Sequence, residues 1–282
     1  MTTEPGVRSG ASLRADCTVD EDGRITFVLG ADAVSGTSAP QLLLRLRPKK
    51  GAPEKLLHPL DPEPVGDGRL RAVLEPKPAL AEGRWDVYLV PEPGAQRQRV
   101  RPGLRDLRAL VDGRDRDWPA PVAVRVPYTT KDGYLAVRAW LRTAHAEVHG
   151  IELTDRSMTF RARLHGAALS EGAAVRLRLR GGKGVVRSLE PRAADDGREF
   201  SCTVDHGELA ADHGTGSRVW DVFVQPRADE GASPVRVGRL FDDVADRKEI
   251  FVYPATQVAG ATVRPYFTVD NDFSVEVTAP TA

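Results

Sequence analysis

Two short rows of arginine are the first residues whose type and spacing imply a chemistry. Arg45 and Arg47 follow Leu44 and Leu46, and Arg176, Arg178 and Arg180 alternate with Val175, Leu177 and Leu179. On a strand, a spacing of two projects each row from one face. Stacked guanidinium groups donate paired hydrogen bonds to phosphate oxygens, so an anionic polymer fits along such a face. Arg161 and Arg163 are expected to extend the second row. The plainer reading is a solvated face whose arginines pair with cross-strand Asp and Glu. With 40 basic and 40 acidic residues and no formal net charge, composition favours the plainer one.

Three further groups could hold a metal. His145, Glu147 and His149 form H-x-E-x-H, which is not the H-E-x-x-H of helical zinc sites. On a strand the three would share a face, but an exposed interdomain linker is the preferred reading. His206 and His213 flank a stretch carrying Asp205, Glu208 and Asp212, which reads as a cation site or as a solvated loop. Asp270-Asn271-Asp272 has the look of a metal-holding acidic triplet. Its counterpart in the first half of the chain is Asp132-Gly133-Tyr134, so turn chemistry explains it better. Gly181-Gly182-Lys183-Gly184 lacks a phosphate-loop frame and reads as a hairpin turn. No metal and no cofactor is expected. Trp118, Trp140 and Tyr134 have poor counterparts between the two halves, which leaves them freer to stack on sugar rings; ordinary core packing is the competing reading.

Composition excludes several classes. Zero net charge offers no general attraction to nucleic acid. No apolar run reaches the roughly 18 residues of a membrane span. Two cysteines, Cys17 and Cys202, exclude a disulfide scaffold and a four-cysteine zinc site. The start of the chain lacks a basic segment followed by about 7–15 apolar residues, and the expected location is the cytoplasm.

The elements that must carry these residues occur twice. Trp85-Asp86-Val87-Tyr88 matches Trp220-Asp221-Val222-Phe223, Leu44–Arg47 matches Leu177–Arg180, and Thr26-Phe27 matches Thr159-Phe160. Arg101 and Gly103 match Arg236 and Gly238, and Pro127-Tyr128, Thr130 and Asp132 match Pro265-Tyr266, Thr268 and Asp270. A collinear series of this kind reads as a tandem duplication. Period-two alternation with Gly, Asn and Asp turns predicts short antiparallel strands. The expected fold is all-β: two tandem immunoglobulin-like sandwiches, at 13–144 and 145–282, after a flexible tail at 1–12. A short helical insertion is expected in each, from Leu104, Leu107, Leu110 and Val111 in the first and Leu240, Phe241 and Val244 in the second. Trp85 and Trp220 are expected between the sheets.

The W-D-V strand, the following R-x-G segment and the hairpin Arg264-Pro265-Tyr266-Phe267-Thr268-Val269-Asp270-Asn271-Asp272-Phe273-Ser274-Val275 together resemble a known pattern. They look like the β-sandwich accessory modules that adjoin actinobacterial teichoic-acid-type glycosyltransferases and polyol-phosphate transferases. The resemblance implies a non-catalytic module that binds polymer or oligomerises, and a transferase partner; it supplies no active-site residues. The leading expectation is therefore a non-enzymatic protein that binds a glycan, a polyol-phosphate polymer or a glycosyltransferase, through Arg45, Arg47, Arg176, Arg178, Arg180, Trp118, Trp140 and Tyr134. The alternatives are a transferase or tailoring enzyme using His145, His149, His206 or His213, and a structural module that forms a homodimer.

Overall fold

The structure is a computed structural model that describes residues 13–31, 39–48, 51–54, 56–113, 117–211, 216–228, 231 and 233–279. The expected tail at 1–12, Asp212 and His213 lie outside the described residues. Two compact units divide the chain, one drawn from Met1–Arg114 and Val124–Trp140, the other from Asp115–Ala123 and Leu141–Ala282. Both are β-sandwiches. Among the described residues no helix is long and apolar enough to cross a membrane.

The first unit runs β1 (Arg14–Val19), β2 (Ile25–Leu29), β3 (Gln41–Leu46), β4 (Leu57–Leu60), β5 (Glu63–Pro64), β6 (Leu70–Leu74), β7 (Gly83–Val90), β8 (Gln98–Arg99), β9 (Arg101–Asp106), α1 (Arg108–Asp112), β10 (Val122–Thr129) and β11 (Leu135–Arg142). One sheet has the order β5-β6-β2-β1-β9 and the other β10-β11-β7-β3-β4, with β8 also on β7. Alternation decides what is buried. Ala15, Cys17 and Val19 face Leu29, Phe27 and Ile25 across β1 and β2, and all six are buried. On β7 the inward residues are Trp85, Val87 and Leu89, opposite Leu46, Leu44 and Leu42.

The second unit continues with β12 (His145–Leu153), β13 (Ser157–His165), β14 (Ala174–Leu179), β15 (Val186–Leu189), β16 (Arg192–Ala193), β17 (Glu199–Asp205), α2 (His206–Ala210), β18 (Ser217–Gln225), β19 (Val235–Gly238), β20 (Thr256–Val258), β21 (Ala261–Phe267) and β22 (Phe273–Thr278). The repeat is visible in the register. Leu44, Arg45 and Leu46 face Val87, Asp86 and Trp85, just as Leu177, Arg178 and Leu179 face Val222, Asp221 and Trp220. Trp85 is 3% exposed and Trp220 1%, as their alternation predicts. Gly181, Lys183 and Gly184 have φ of 71°, 47° and 92°, so the glycine-rich stretch is the β14–β15 hairpin.

Three expectations need correction. The sandwiches are antiparallel save for one parallel contact in each, made where the chain crosses between sheets. In the first unit β8 pairs β7 antiparallel, then β9 pairs β1 parallel; in the second, β19 makes both contacts itself, antiparallel to β18 and parallel to β12. This strand also shifts the repeat by two residues. Arg99 faces Tyr88 as Arg236 faces Phe223, so Arg99, and not Arg101, is the counterpart of Arg236. Gly238 is required where it stands, since a Cβ there would lie 2.6 Å from the Asn271 carbonyl oxygen.

The helical insertions differ from expectation too. Of the stretch expected to be helical in the first unit, Arg108–Asp112 is, and Leu104 belongs to β9, 79% exposed. In the second unit, Leu240–Val244 forms bends instead of a helix. Its amides are taken by carboxylates: Leu240 and Phe241 donate to Glu147, and Val244 donates to Asp242. Those N–H groups are thereby lost to any helical ladder. The helix of this unit lies elsewhere, at α2, where the Asp205 side chain caps the Glu208 amide at 3.0 Å.

The third correction concerns Arg161 and Arg163. They sit on β13, which is hydrogen-bonded to β12 and β17, whereas β14 pairs with β15 and β18, so they do not extend the Arg176–Arg180 row.

The buried tryptophans give a direct test of the repeat. Trp85→Ala and Trp220→Ala should each lower stability by about 3–5 kcal/mol, read as a fall in the denaturant midpoint. A loss below about 1 kcal/mol for either would place that ring outside its core.

Candidate functional site

On β7 the alternation that turns Trp85 inward turns Asp86 outward, against the arginines of β3. The Asp86 side chain is only 4% exposed. It accepts from Arg45 Nη2 at 3.2 Å and Arg47 Nη2 at 2.6 Å, and Arg99 Nη2 lies 3.6 Å away. Asp86 pushes the Arg47 guanidinium further up from its already high range. Three guanidinium groups thus share one carboxylate. The face is extended by aromatic rings: Arg45 lies 5.1 Å from the Tyr88 centroid, and Arg99 and Arg101 lie 4.0 and 4.9 Å from that of Tyr134. Arg99 also pairs with Asp132, whose carboxyl is held down to about 2 by hydrogen bonds from the Thr130 hydroxyl and from Arg99. Four arginines, Arg45, Arg47, Arg99 and Arg101, therefore stand against two carboxylates, Asp86 and Asp132.

The second unit repeats this arrangement with changes. Arg180 donates through Nε to Asp221 at 3.1 Å, Ser274 Oγ donates to the same carboxylate at 2.8 Å, and Arg178 lies 5.2 Å from the Phe223 centroid. Arg176 is half-buried on the same face. Arg236, the counterpart of Arg99, meets Asp272 at 3.0 Å, and the buried Arg142 meets Asp272 at 2.7 Å. Arg180, Asp221, Phe223, Arg236, Asp270 and Asp272 line a cleft of about 290 Å³.

The structure therefore gathers Arg45 and Arg47 into one cluster with Tyr134 nearby, and Arg178 and Arg180 into the other. It does not bring Trp118 or Trp140 to either. Trp140 is 1% exposed, with Arg138 over its ring at 5.0 Å. Trp118 is half-buried and stacked on Phe241 at 4.6 Å. Sequence reasoning missed Asp86, Asp221, Arg99, Arg236 and Asp272. The signal for the first two was present, since an Asp next to an inward Trp on a strand faces outward.

The H-x-E-x-H stretch is strand β12, not an exposed linker. His145 is 0% exposed and Glu147 is buried. Arg142 Nη1 lies 3.3 Å from His145 Nδ1, and since a guanidinium only donates, His145 must donate through Nε2 to Glu147, at 2.8 Å. Glu147 also accepts from the Leu240 and Phe241 amides at 2.7 and 3.1 Å. Phe241, fixed in this way, packs edge-on against His165 at 4.7 Å. His149 points elsewhere, to Glu199 at 3.5 Å. His206 is sealed in the core, and burial pushes its pKa down. Among the described residues no group of three or more His, Cys, Asp or Glu is placed to hold a metal. Burial pushes both thiols, Cys17 and Cys202, up to about 12, so neither is a nucleophile near neutrality.

No protein-family model matches the chain, and no curated protein matches it. Among solved structures it is similar to a fragment of S. aureus TarS (TM-score 0.30, 16% identity, 70% of this chain and 56% of that one). It is similar to a longer S. aureus TarS structure (TM-score 0.30, 16% identity, 68% and 34%). A Bacillus subtilis type I pullulanase complexed with maltose is also similar (TM-score 0.26, 13% identity, 80% and 24%). The chain thus spans from about a third to about half of the length of the TarS structures it matches.

The buried network makes a prediction about pH. Burial raises Glu147 from 4.5 to about 7, so the folded state holds a proton that the unfolded chain has lost, and stability falls as pH rises through that window. Burial lowers His165 from 6.5 to about 4, so the unfolded chain binds the extra proton there, and stability rises with pH across its window. The two slopes oppose each other and largely cancel between pH 4.5 and 6.5, which leaves the rising slope that His206, also pushed down by burial, contributes. His165→Phe removes one slope. Its slope of stability against pH should be lower than that of the unsubstituted chain by up to about 1.4 kcal/mol per pH unit between pH 4.5 and 6.5, measured by urea denaturation at a series of pH values.

Proposed function

We propose that this chain is a non-catalytic binding protein whose arginine faces hold an anionic polymer, a polyol-phosphate or a phosphate-bearing glycan, on behalf of a glycosyltransferase partner. The observation that carries the reading is the cluster at Asp86. A single buried carboxylate orders three guanidinium groups and leaves them in positive surplus. Guanidinium groups held in place lose less freedom on meeting a phosphate than free side chains do. Each guanidinium offers five N–H donors, more than one carboxylate can accept, so donors remain for phosphate oxygens. The second unit repeats the pairing at Asp221 with its charges balanced, so the phosphate reading rests on the Asp86 face. Two unpaired, buried thiols suit a reducing compartment, and the cytoplasm is the proposed location.

Calorimetry with a glycerol-phosphate polymer and with an uncharged dextran, each at low and high salt, tests this. The phosphate polymer should bind and weaken steeply with salt, while dextran should show no such dependence. Arg99→Ala, which leaves Asp86 two partners, should weaken polymer binding about tenfold, and Arg45→Gln with Arg47→Gln should abolish it. Polymer binding that is absent at low salt, or unchanged in these variants, would overturn the proposal.

A further inference from the structure

The two units differ in the same hairpin, and the residue that closes its turn opens a second kind of site. Thr130 donates its amide to the Tyr134 carbonyl and Thr268 donates its amide to the Asp272 carbonyl, both at 2.8 Å, so Tyr134 and Asp272 close equivalent turns. Each meets the equivalent arginine of the switching strand. In the first unit the Tyr134 ring lies under Arg99 at 4.0 Å; in the second the Asp272 carboxylate meets Arg236 at 3.0 Å. A phenol ring thus stands in the first unit where the second has only a short carboxylate, and there the cleft of about 290 Å³ is found. That volume lies at the lower end of the roughly 300–1,000 Å³ typical of small-molecule sites, enough for one small ring or a short chain.

The lining decides what fits. Two guanidinium groups, Arg180 and Arg236, face three carboxylates, Asp221, Asp270 and Asp272, and the buried Arg142 also pairs with Asp272, so the charges balance and the cleft has no positive surplus for a phosphate. Arg180 is held on Asp221 and Arg236 on Asp272, so each guanidinium of the lining stands beside a carboxylate. A hydroxyl group donates and accepts at one atom, so neighbouring hydroxyls can donate to a carboxylate and accept from the adjacent guanidinium. Phe223, half-buried, and Val269, 48% exposed, add an apolar surface that suits C–H groups. We infer that the second unit holds an uncharged polyhydroxylated unit, a sugar ring or a linear polyol, in the cleft between β18, β19 and the β21–β22 turn. The site deepens the glycan-binding reading above by naming its neutral moiety, yet it stands apart from the phosphate face because its probe carries no charge.

Amide correlation spectra at high salt, with methyl α-glucopyranoside, N-acetylglucosamine and ribitol as separate probes, test it. At least one probe should shift the amides of residues 268–273 and Arg236 saturably. Val269→Trp blocks the rim without touching an Arg–Asp pair and should weaken that probe more than tenfold with the melting temperature unchanged. Asp272→Tyr, which installs the first unit's residue, should also weaken that probe, with a lower melting temperature because the buried Arg142 loses its carboxylate. Tyr134→Asp should add a second set of shifts at residues 130–135. The inference is overturned if no probe moves residues 268–273 in the wild type, or if Val269→Trp leaves the shifts intact. Either result leaves phosphate-polymer binding to be judged by its own salt dependence. Conversely, neutral probes that bind while the phosphate polymer does not would overturn the phosphate reading alone.

Discussion

An outward carboxylate beside an inward tryptophan organises each unit. The pleat of a strand sends neighbours to opposite faces, so Trp85 and Trp220 enter the cores while Asp86 and Asp221 meet the arginines of the adjacent strand. A carboxylate that is 4% exposed is costly to leave without positive partners, and Arg45, Arg47 and Arg99 are held to it by that cost. The same pairs that keep the strand's outer face satisfied therefore fix the geometry of the surface offered to a ligand.

The two units then diverge at the same surface. The first unit keeps Tyr134 in its hairpin, packs it under arginine and retains positive surplus. The second replaces the ring by Asp272, balances its arginines with carboxylates and has a cleft there. A second divergence lies inside. β19 leaves the sheet at Gly238, and the chain beyond it turns inward onto Glu147, carrying Phe241 against Trp118. In the first unit the equivalent stretch stays on β1 as strand β9, with Leu104 exposed and its amide on Asp16 at 2.7 Å.

Much of this was legible in the residues. Alternation of Leu with Arg on β3 and β14, the buried tryptophans and the hairpin turns are local consequences of period and turn chemistry, and the register follows the repeat residue by residue. Even the cleft left a trace, since Tyr134 was poorly matched between copies. What local pattern could not carry are pairings over long separations. Glu147 accepts amides 93 and 94 positions away, so H-x-E-x-H looked like a linker when it is a buried strand. The parallel contact of β1 with β9 has the same origin, because nothing in a strand as short and polar as Arg101–Asp106 says which strand it joins. The arginine rows were seen, but their shared anchor was read only as part of a tryptophan motif.

The central claim is that the arginines ordered by Asp86 are the ones that meet phosphate. Side-chain Nε–H correlation spectra, recorded while a short glycerol-phosphate oligomer is titrated into the intact chain, test it most directly. The account predicts saturable shifts at Arg45, Arg47 and Arg99 that vanish at high salt. Shifts confined to arginines outside that cluster, such as Arg161 and Arg163 on β13, would contradict it.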